Sequence, residues 1–466
     1  MGPVPLPAPG GRDPGQRFAD GAAVALQWWA LFRSPALDDT VAMALAGSPT
    51  LTAAQATLAQ AREAVLVARA SYYPQADLVA TGSWEHAQSL NGTSSGKSIS
   101  GSRSSATVGS SSSTLVTDMF NIGPALTWTP DLFGHNRRLV EQQAALAENQ
   151  RYQVGAAYLA LTADVATQAV TIASTRAQIK AVEDIIAADA RNLELVRIAF
   201  EAGSVARTDV LSAESQLAGD RTLLPPLEQQ LAVARHALSV LTGKLPAEWA
   251  PPDFDLDALQ LPAQLPVSVP SELVHGRPDI LAAEAQLHAA SAAIGVATAQ
   301  LYPSITISPA ITLQAVASSG PVAAPSLLAG VVGSITQPLF HGGALRAQQR
   351  AAVDAYDAQR ATYRQTLLVA FGQVADVLRA LQHDTDLLRA QDAALTASEA
   401  SLQLAQEAYA AGRGSLVQVL DAQRLYAQAV LGYARARGQR YLDTVLLFEA
   451  MGGASQAWLE ANAGTR

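Results

Sequence analysis

The chain has 466 residues, a formal net charge of −9 at pH 7 and no cysteine. The lack of cysteine excludes a disulfide framework, a thiolate metal site and a cysteine nucleophile. Charged residues make up 15% of the sequence and apolar residues 49%, whereas an ordinary soluble domain has about 25% charged residues. The acidic balance also argues against a nucleic-acid-binding protein.

The N-terminal segment, residues 1–39, is predicted to be extended. Its Pro-rich start has neither the basic region nor the apolar core of a signal peptide. The rest of the sequence has no clean apolar run of about 18 residues, so no transmembrane helix is predicted.

Beyond residue 39 the same order of motifs occurs twice, which predicts two halves of one repeat architecture. The matched pairs are Tyr73-Pro74 with Tyr302-Pro303, Leu132-Phe133 with Leu339-Phe340, and Ala202-Gly203 with Ala411-Gly412. We therefore divide the chain into repeat 1 at 40–245, a Pro-rich linker at 246–270, repeat 2 at 271–455 and a C-terminal tail at 456–466. Each repeat is predicted to contain a helix, a pair of strands, a long helix, a turn and another helix.

The strand pairs are predicted as β-hairpins within 75–128 and 304–337. Apolar and polar residues alternate there with a period of two, which is typical of a strand with one apolar face. The loops between the strands are predicted at 89–117, which is rich in Ser and Gly, and at 315–326. Four strands cannot close a barrel, but three chains would supply twelve. The alternative is a half-buried sheet of a soluble protein.

A seven-residue repeat of apolar side chains marks the long helix of each half, from about 137 to 201 in repeat 1. Such a stripe predicts a supercoiled helix, and 65 residues would span about 100 Å. The members are Tyr158, Val165, Ile172, Ile179, Ile186, Leu193 and Phe200 in repeat 1, and Leu367, Val374, Leu381, Leu388, Leu395, Leu402 and Tyr409 in repeat 2.

Gly203 and Gly412 are predicted to end the long helices, because glycine readily adopts the left-handed conformation of a helix C-terminus. Asp209 and Ser415 then lie near the start of the next helix. Pro225-Pro226 is predicted to interrupt that helix in repeat 1.

No catalytic residue, cofactor site or metal site is predicted. The seven histidines have no metal-binding spacing, and the sequence has no phosphate-binding loop or nucleophile elbow. Asp421 and Arg424 lie at i and i+3 after Gly412, which leaves two interpretations open: charges that latch neighbouring helices or ring a pore, and an ordinary intrahelical pair.

Several motifs together resemble those of the TolC/OprM-like outer-membrane efflux proteins, most closely the OprM/NodT branch that serves resistance-nodulation-division pumps. These motifs are Trp28-Trp29, Leu31-Phe32, Pro35-Ala36-Leu37, Asp131-Leu132-Phe133-Gly134, Gly276-Arg277-Pro278-Asp279-Ile280, Ala283-Glu284, Tyr302-Pro303, Pro338-Leu339-Phe340, Gly342-Gly343, Leu420-Asp421-Ala422-Gln423-Arg424 and Met451-Gly452-Gly453. The resemblance implies a mainly α fold with a transmembrane β portion. A homotrimer would form a 12-stranded barrel in the outer membrane and a 12-helix barrel in the periplasm, with the linker and terminal segments as a belt.

The implied function is a non-enzymatic exit channel of a Gram-negative tripartite efflux system. It would passively conduct drugs and toxic compounds from an inner-membrane pump and a periplasmic adaptor to the exterior. The implied gate residues at the periplasmic tip are Asp421, Arg424, Val417 and Asp209, and the turns at Gly203 and Gly412 would contact the adaptor. The family's lipid-modified cysteine is absent, so a lipid anchor is expected only if such a cysteine precedes this sequence.

Two alternatives remain at this point. The same channel would also suit protein secretion or metal-ion export. A soluble coiled-coil scaffold would explain the seven-residue repeats but not four alternating strands.

Overall fold

The computed structural model describes residues 16–20, 24–88, 114–267, 274–318 and 325–461. The helices in this part of the chain are a 3-10 helix (Trp28–Phe32), α1 (Pro35–Gly47), α2 (Pro49–Ala70), α3 (His135–Glu201), α4 (Arg207–Arg221), α5 (Leu224–Leu241), α6 (Pro278–Ala299), α7 (Ala344–Ala410), α8 (Leu416–Ala450) and α9 (Ser455–Ala461). The strands are β1 (Arg17–Asp20), β2 (Gln75–Gln88), β3 (Thr114–Thr127), β4 (Gln264–Val267), β5 (Ser304–Ser318) and β6 (Ser326–Thr336). The expectation of a mainly helical chain with a smaller β portion is confirmed.

The chain forms two compact units. Of the described residues, those within 1–62, 145–288 and 357–466 form the helical unit, and those within 63–144 and 289–356 form the strand unit. Each is therefore assembled from both halves of the sequence.

The strand unit contains a four-stranded antiparallel sheet in the order β2-β3-β5-β6. Its register places Ile122 opposite both Ala80 and Leu313, and Leu313 opposite Leu327. Because side chains alternate between the two faces of a strand, these residues share one face across all four strands. Ile122, Leu313 and Leu327 are all exposed on it. The predicted hairpins with one apolar face are confirmed.

Both loops are shorter than predicted, because a strand extends into each of them. β3 already begins at Thr114, inside the predicted loop 89–117, and β5 continues to Ser318, inside the predicted loop 315–326. The apolar alternation fades towards these ends, but backbone pairing to the neighbouring strand continues there. Residues 89–113 and 319–324 lie outside the described part of the chain.

The long helices α3 and α7 are each 67 residues. The predicted apolar stripe is buried or half-buried at every position in α7 and at all but Phe200 in α3. The helices differ in how much else they bury: α3 has many fully buried side chains, whereas those of α7 are only Ala370, Leu381, Asp384 and Leu388. Much of α7 is thus uncovered in one chain.

Windows in α3 and α6 reach a mean hydropathy of 1.3 with few charges, so these two helices are long and apolar enough to cross a membrane by length and composition alone. Both windows owe this to alanine-rich sequence. The window in α3 is mostly buried inside the protein, as is usual for a core helix.

The main core of the helical unit joins both chain ends to the long helix. The ring of Trp28, which is fully buried, stacks on Phe448 at 5.1 Å between centroids. Tyr158 stacks on Trp458 of α9 at 4.3 Å. Two expectations are therefore corrected: residues 28–32 and 35–39 are helical rather than extended, and the expected tail at 456–466 includes a packed helix. The physical reason is the same in both segments: burial of large apolar side chains stabilises short helices that would have little stability alone.

The Gly-Arg-Pro-Asp motif forms a clamp at the start of α6. Arg277 is buried and donates to both carboxylate oxygens of Asp279, at 3.0 and 2.6 Å. It also donates to the carbonyl of Ala450 at 2.8 Å and to Gln373 Oε1 at 2.8 Å. The guanidinium suits this position because its planar fork offers several donors at once, and it ties α6 to the end of α8.

Candidate functional site

Two equivalent turns end the long helices. Gly203 has a φ of 72° and Gly412 a φ of 69°. In the first turn the N–H of Gly203 donates to Phe200 O and that of Ser204 to Ala199 O, both at 2.9 Å. The second turn repeats the pattern after Tyr409. Both are Schellman motifs, so the predicted glycine stops are confirmed.

The helices that follow begin with different caps. Ser415 precedes α8 and forms a full capping box with Gln418, whose Oε1 accepts from the Ser415 N–H at 3.0 Å. Before α4 the cap position is Ala206, and only half of the box exists: Asp209 Oδ2 accepts from the Ala206 N–H at 3.0 Å. Asp209 therefore satisfies a helix terminus in this chain.

One face of α8 carries three of the predicted gate residues. Val417 is 64% exposed. One and two turns further on, Asp421 Oδ1 accepts from Arg424 Nη2 at 2.7 Å, with both side chains at least half exposed. The spacing of i, i+4 and i+7 puts all three on one side of the helix. An exposed pair of this kind contributes at most about 1 kcal/mol to stability.

The opposite face of α8 packs on α3 and α4. Leu416 lies in a buried cluster with Leu193 and Val210. The fold also buries Gln423 on this face, although it stands between the exposed Asp421 and Arg424. A single turn of α8 therefore combines an exposed ion pair with a buried polar contact.

Gln423 connects to a buried aspartate on α3. Its Nε2 donates to Asp189 Oδ1, and its Oε1 accepts from Asn192 Nδ2 at 2.6 Å. Burial, and then the nearby Asp220 carboxylate, raise the pKa of Asp189 well above its ordinary value. Among the described residues no donor reaches Asp189 Oδ2. Burial beside a second carboxylate favours the neutral form of a carboxyl group, so we assign a proton to Asp189.

A second buried carboxyl pair lies between α7 and α8. Burial and the neighbouring Asp443 raise the pKa of Asp384, while Arg440 opposes the effect. Arg440 is itself buried and donates to Gln16 Oε1 at 3.1 Å. Gln16 in turn donates to Thr444 Oγ1 at 3.1 Å. This network fastens the beginning of the described chain to α8.

Sequence reasoning missed both carboxyl pairs. The only local signal was Gln423 within the Leu-Asp-Ala-Gln-Arg motif, which does not indicate a partner on another helix. No group of three or more His, Asp or Glu residues that could hold a metal ion occurs in the part of the chain that the structure describes.

Comparisons with known proteins identify relatives over nearly the whole length. The toluene efflux pump outer membrane protein TtgC of Pseudomonas putida is 30% identical over 451 residues, which cover 95% of this chain and 87% of TtgC. The pyoverdine export outer membrane protein OpmQ of Pseudomonas aeruginosa is 28% identical, with coverage of 92% and 88%.

A solved structure and a family profile agree with these relatives. The structure of the outer-membrane channel OprN matches this fold with a TM-score of 0.83 at 26% identity, over 98% of this chain and 99% of that chain. The profile described as outer membrane efflux protein matches residues 40–244 and 269–453. The chain therefore belongs to the outer membrane efflux protein family, whose members reside in the outer membrane of Gram-negative bacteria.

Proposed function

We propose that this protein is the exit channel of a tripartite efflux system. It passively conducts small molecules to the exterior from an inner-membrane pump of the resistance-nodulation-division class and a periplasmic adaptor. The relatives named for toluene efflux and pyoverdine export support small organic cargo. The observation that carries the proposal is a sheet with an exposed apolar face, in a chain whose long helices each have 67 residues. A soluble protein rarely exposes so continuous an apolar surface.

The working form is a homotrimer with a 12-stranded barrel and a 12-helix barrel. Two features of the single chain support closure by further copies. β2 and β6 are the outer strands of the sheet and each has one unpaired edge among the described strands, which proteins seldom leave open. In addition, α7 fully buries few side chains.

The gate of the channel lies at the turn that starts α8. Val417, Asp421 and Arg424 point away from the packed side of that helix and are free to meet the same residues of neighbouring copies. Asp209 contributes less, because its carboxylate already caps α4. The turns at Gly203 and Gly412 form the surface for the adaptor. Opening consists of an outward movement of helix pairs that separates the α8 faces.

The test is single-channel conductance in planar bilayers. Asp421→Ala and Arg424→Ala should raise conductance, because each removes a charge that holds neighbouring α8 helices together. The matched control is the exposed i, i+3 pair of Asp357 and Arg360 on α7, whose alanine variants should conduct as the wild type does. Unchanged conductance in both α8 variants would refute the gate. A wild-type protein that forms no channels and stays soluble without detergent would refute the proposed function itself.

A further inference from the structure

An aromatic stack joins two strands at one end of the sheet. Phe133 follows β3 and Tyr302 precedes β5, and their rings stack with centroids 5.2 Å apart and an interplanar angle of 8°. β3 and β5 are adjacent antiparallel strands. The stack therefore fastens the place where repeat 1 leaves the sheet to the place where repeat 2 enters it.

The internal repeat provides a second copy of both rings. Phe340 belongs to the Leu-Phe pair that corresponds to Leu132-Phe133, and Tyr73 precedes a proline and a strand as Tyr302 does. These two counterparts are uncovered: Phe340 is 88% exposed and Tyr73 is 70% exposed. Leu339, next to Phe340, is 92% exposed. Exposed aromatic and aliphatic side chains in such a cluster indicate a contact surface.

Phe340 and Tyr73 cannot meet within one chain. Tyr73 adjoins β2 and Phe340 adjoins β6, which are the two outer strands of the sheet. Three strand spacings of about 4.8 Å separate these strands. A partner for each ring must therefore come from another molecule, and the repeat shows what that partner is. β3 pairs with β5 inside the chain, so their counterparts β6 and β2 are suited to pair between copies.

The apolar faces at the two edges agree with this pairing. The face that carries Ile122 and Leu313 continues onto both outer strands. It includes Leu78 and Ala80 on β2, and Val331 and Ile335 on β6. An antiparallel junction of β6 with the next β2 can therefore continue one apolar surface without a change of face. A shift by one residue would set apolar side chains against the polar face. The two edges differ, so the contact is head-to-tail, which is the kind of contact from which ring-shaped assemblies are built.

We propose that Phe340, with Leu339, packs on Tyr73 of the next copy and fastens the junction between chains as Phe133 and Tyr302 fasten the junction between repeats. This inference rests on the proposed trimeric channel and adds the contact that aligns its subunits. The Leu-Phe pair stands two residues closer to its strand in repeat 2 than in repeat 1. The contact therefore covers both rings without needing the same interplanar angle as the internal stack.

Cysteine cross-linking tests the contact directly, because these 466 residues include no cysteine that would interfere. One chain carries Tyr73→Cys, and a second chain with a different tag carries Phe340→Cys. The two chains are co-expressed, and the membranes are then treated with a short bis-maleimide. We expect a covalent dimer that carries both tags on a denaturing gel. The double variant should give covalent dimers and trimers. The matched control, Tyr73→Cys co-expressed with Phe133→Cys, should give no product with both tags, because these residues lie at different junctions.

A second variant tests the contact without cysteines, in case the cysteine variants misfold. Phe340→Ala should lower the temperature at which the trimer dissociates, whereas the fold of the separated chain, followed by circular dichroism, should stay as in the wild type. Trimers and channels that persist without any Tyr73–Phe340 cross-link would overturn the contact but leave the proposed function standing. A wild-type chain without trimers would overturn the proposed function as well.

Discussion

Asp189→Asn provides the sharpest test of the buried carboxyl pair. Asparagine keeps an oxygen that can accept from Gln423 and presents an N–H where the protonated wild-type carboxyl would donate towards Asp220. It therefore imitates the protonated aspartic acid but does not titrate. A stability difference from the wild type that changes with pH consequently reports whether Asp189 holds its proton.

The sign of the effect follows from the raised pKa. Burial and the Asp220 carboxylate make the folded protein bind the Asp189 proton more tightly than the unfolded chain does, where the pKa is near 3.8. Protons therefore favour folding at this site, and the wild type loses stability as the pH rises above 3.8 towards the raised pKa. The loss is about 1.4 kcal/mol per pH unit for one proton. The advantage of the asparagine variant should therefore grow between pH 5 and pH 7, by up to about 1.4 kcal/mol per pH unit.

Thermal unfolding of detergent-solubilised protein at the two pH values measures this difference. The exposed Asp184 on the same helix supplies the charge-matched control, Asp184→Asn, against which the pH dependence of Asp189→Asn is compared. If Asp189→Asn also keeps a constant difference from the wild type between pH 5 and pH 7, Asp189 is ionised in the folded protein and the assigned proton is refuted.

Two further predictions concern glycines. Gly203→Ala and Gly412→Ala should each lower the free energy of unfolding by about 1–2 kcal/mol, because the left-handed backbone, and not a lack of space, disfavours a side chain there. Gly219→Ala, at an equally open position within α4, should instead raise the free energy of unfolding by about 0.5–1 kcal/mol. Equal effects of all three variants in chemical denaturation would contradict the helix stops. Gly438→Ala would place a Cβ 2.7 Å from Ser174 Cβ and should cost about 1–3 kcal/mol; a double-mutant cycle with Ser174→Gly should recover most of the loss, and additive effects would show that the two helices are not in contact there.

Much of the fold could be predicted because its signals are periodic and local. A side chain that recurs every seven residues must face one side of a helix, and one that alternates must face one side of a strand. Gly203 and Gly412 marked turns because only a residue without Cβ adopts their conformation readily. The errors arose where these signals fade, as at Thr114 and Ser318, and where tertiary burial stabilises short helices.

The residues of the buried polar networks could not be predicted in this way. Asp189 meets Gln423 across 234 positions of sequence, and Arg440 meets Gln16 across 424. Nothing in the neighbourhood of either residue encodes its partner.

The sequence by itself determined which side chains lie on the same face of a helix or strand, since helical and strand periodicity follow from the order of residues. Only the tertiary structure decided which faces meet. It buried Asp189 beside another carboxyl and left Phe340 and Tyr73 uncovered at opposite edges of one sheet. The physical reason is that burial and electrostatic interaction depend on distances in space, and these are set by the packing of the whole chain.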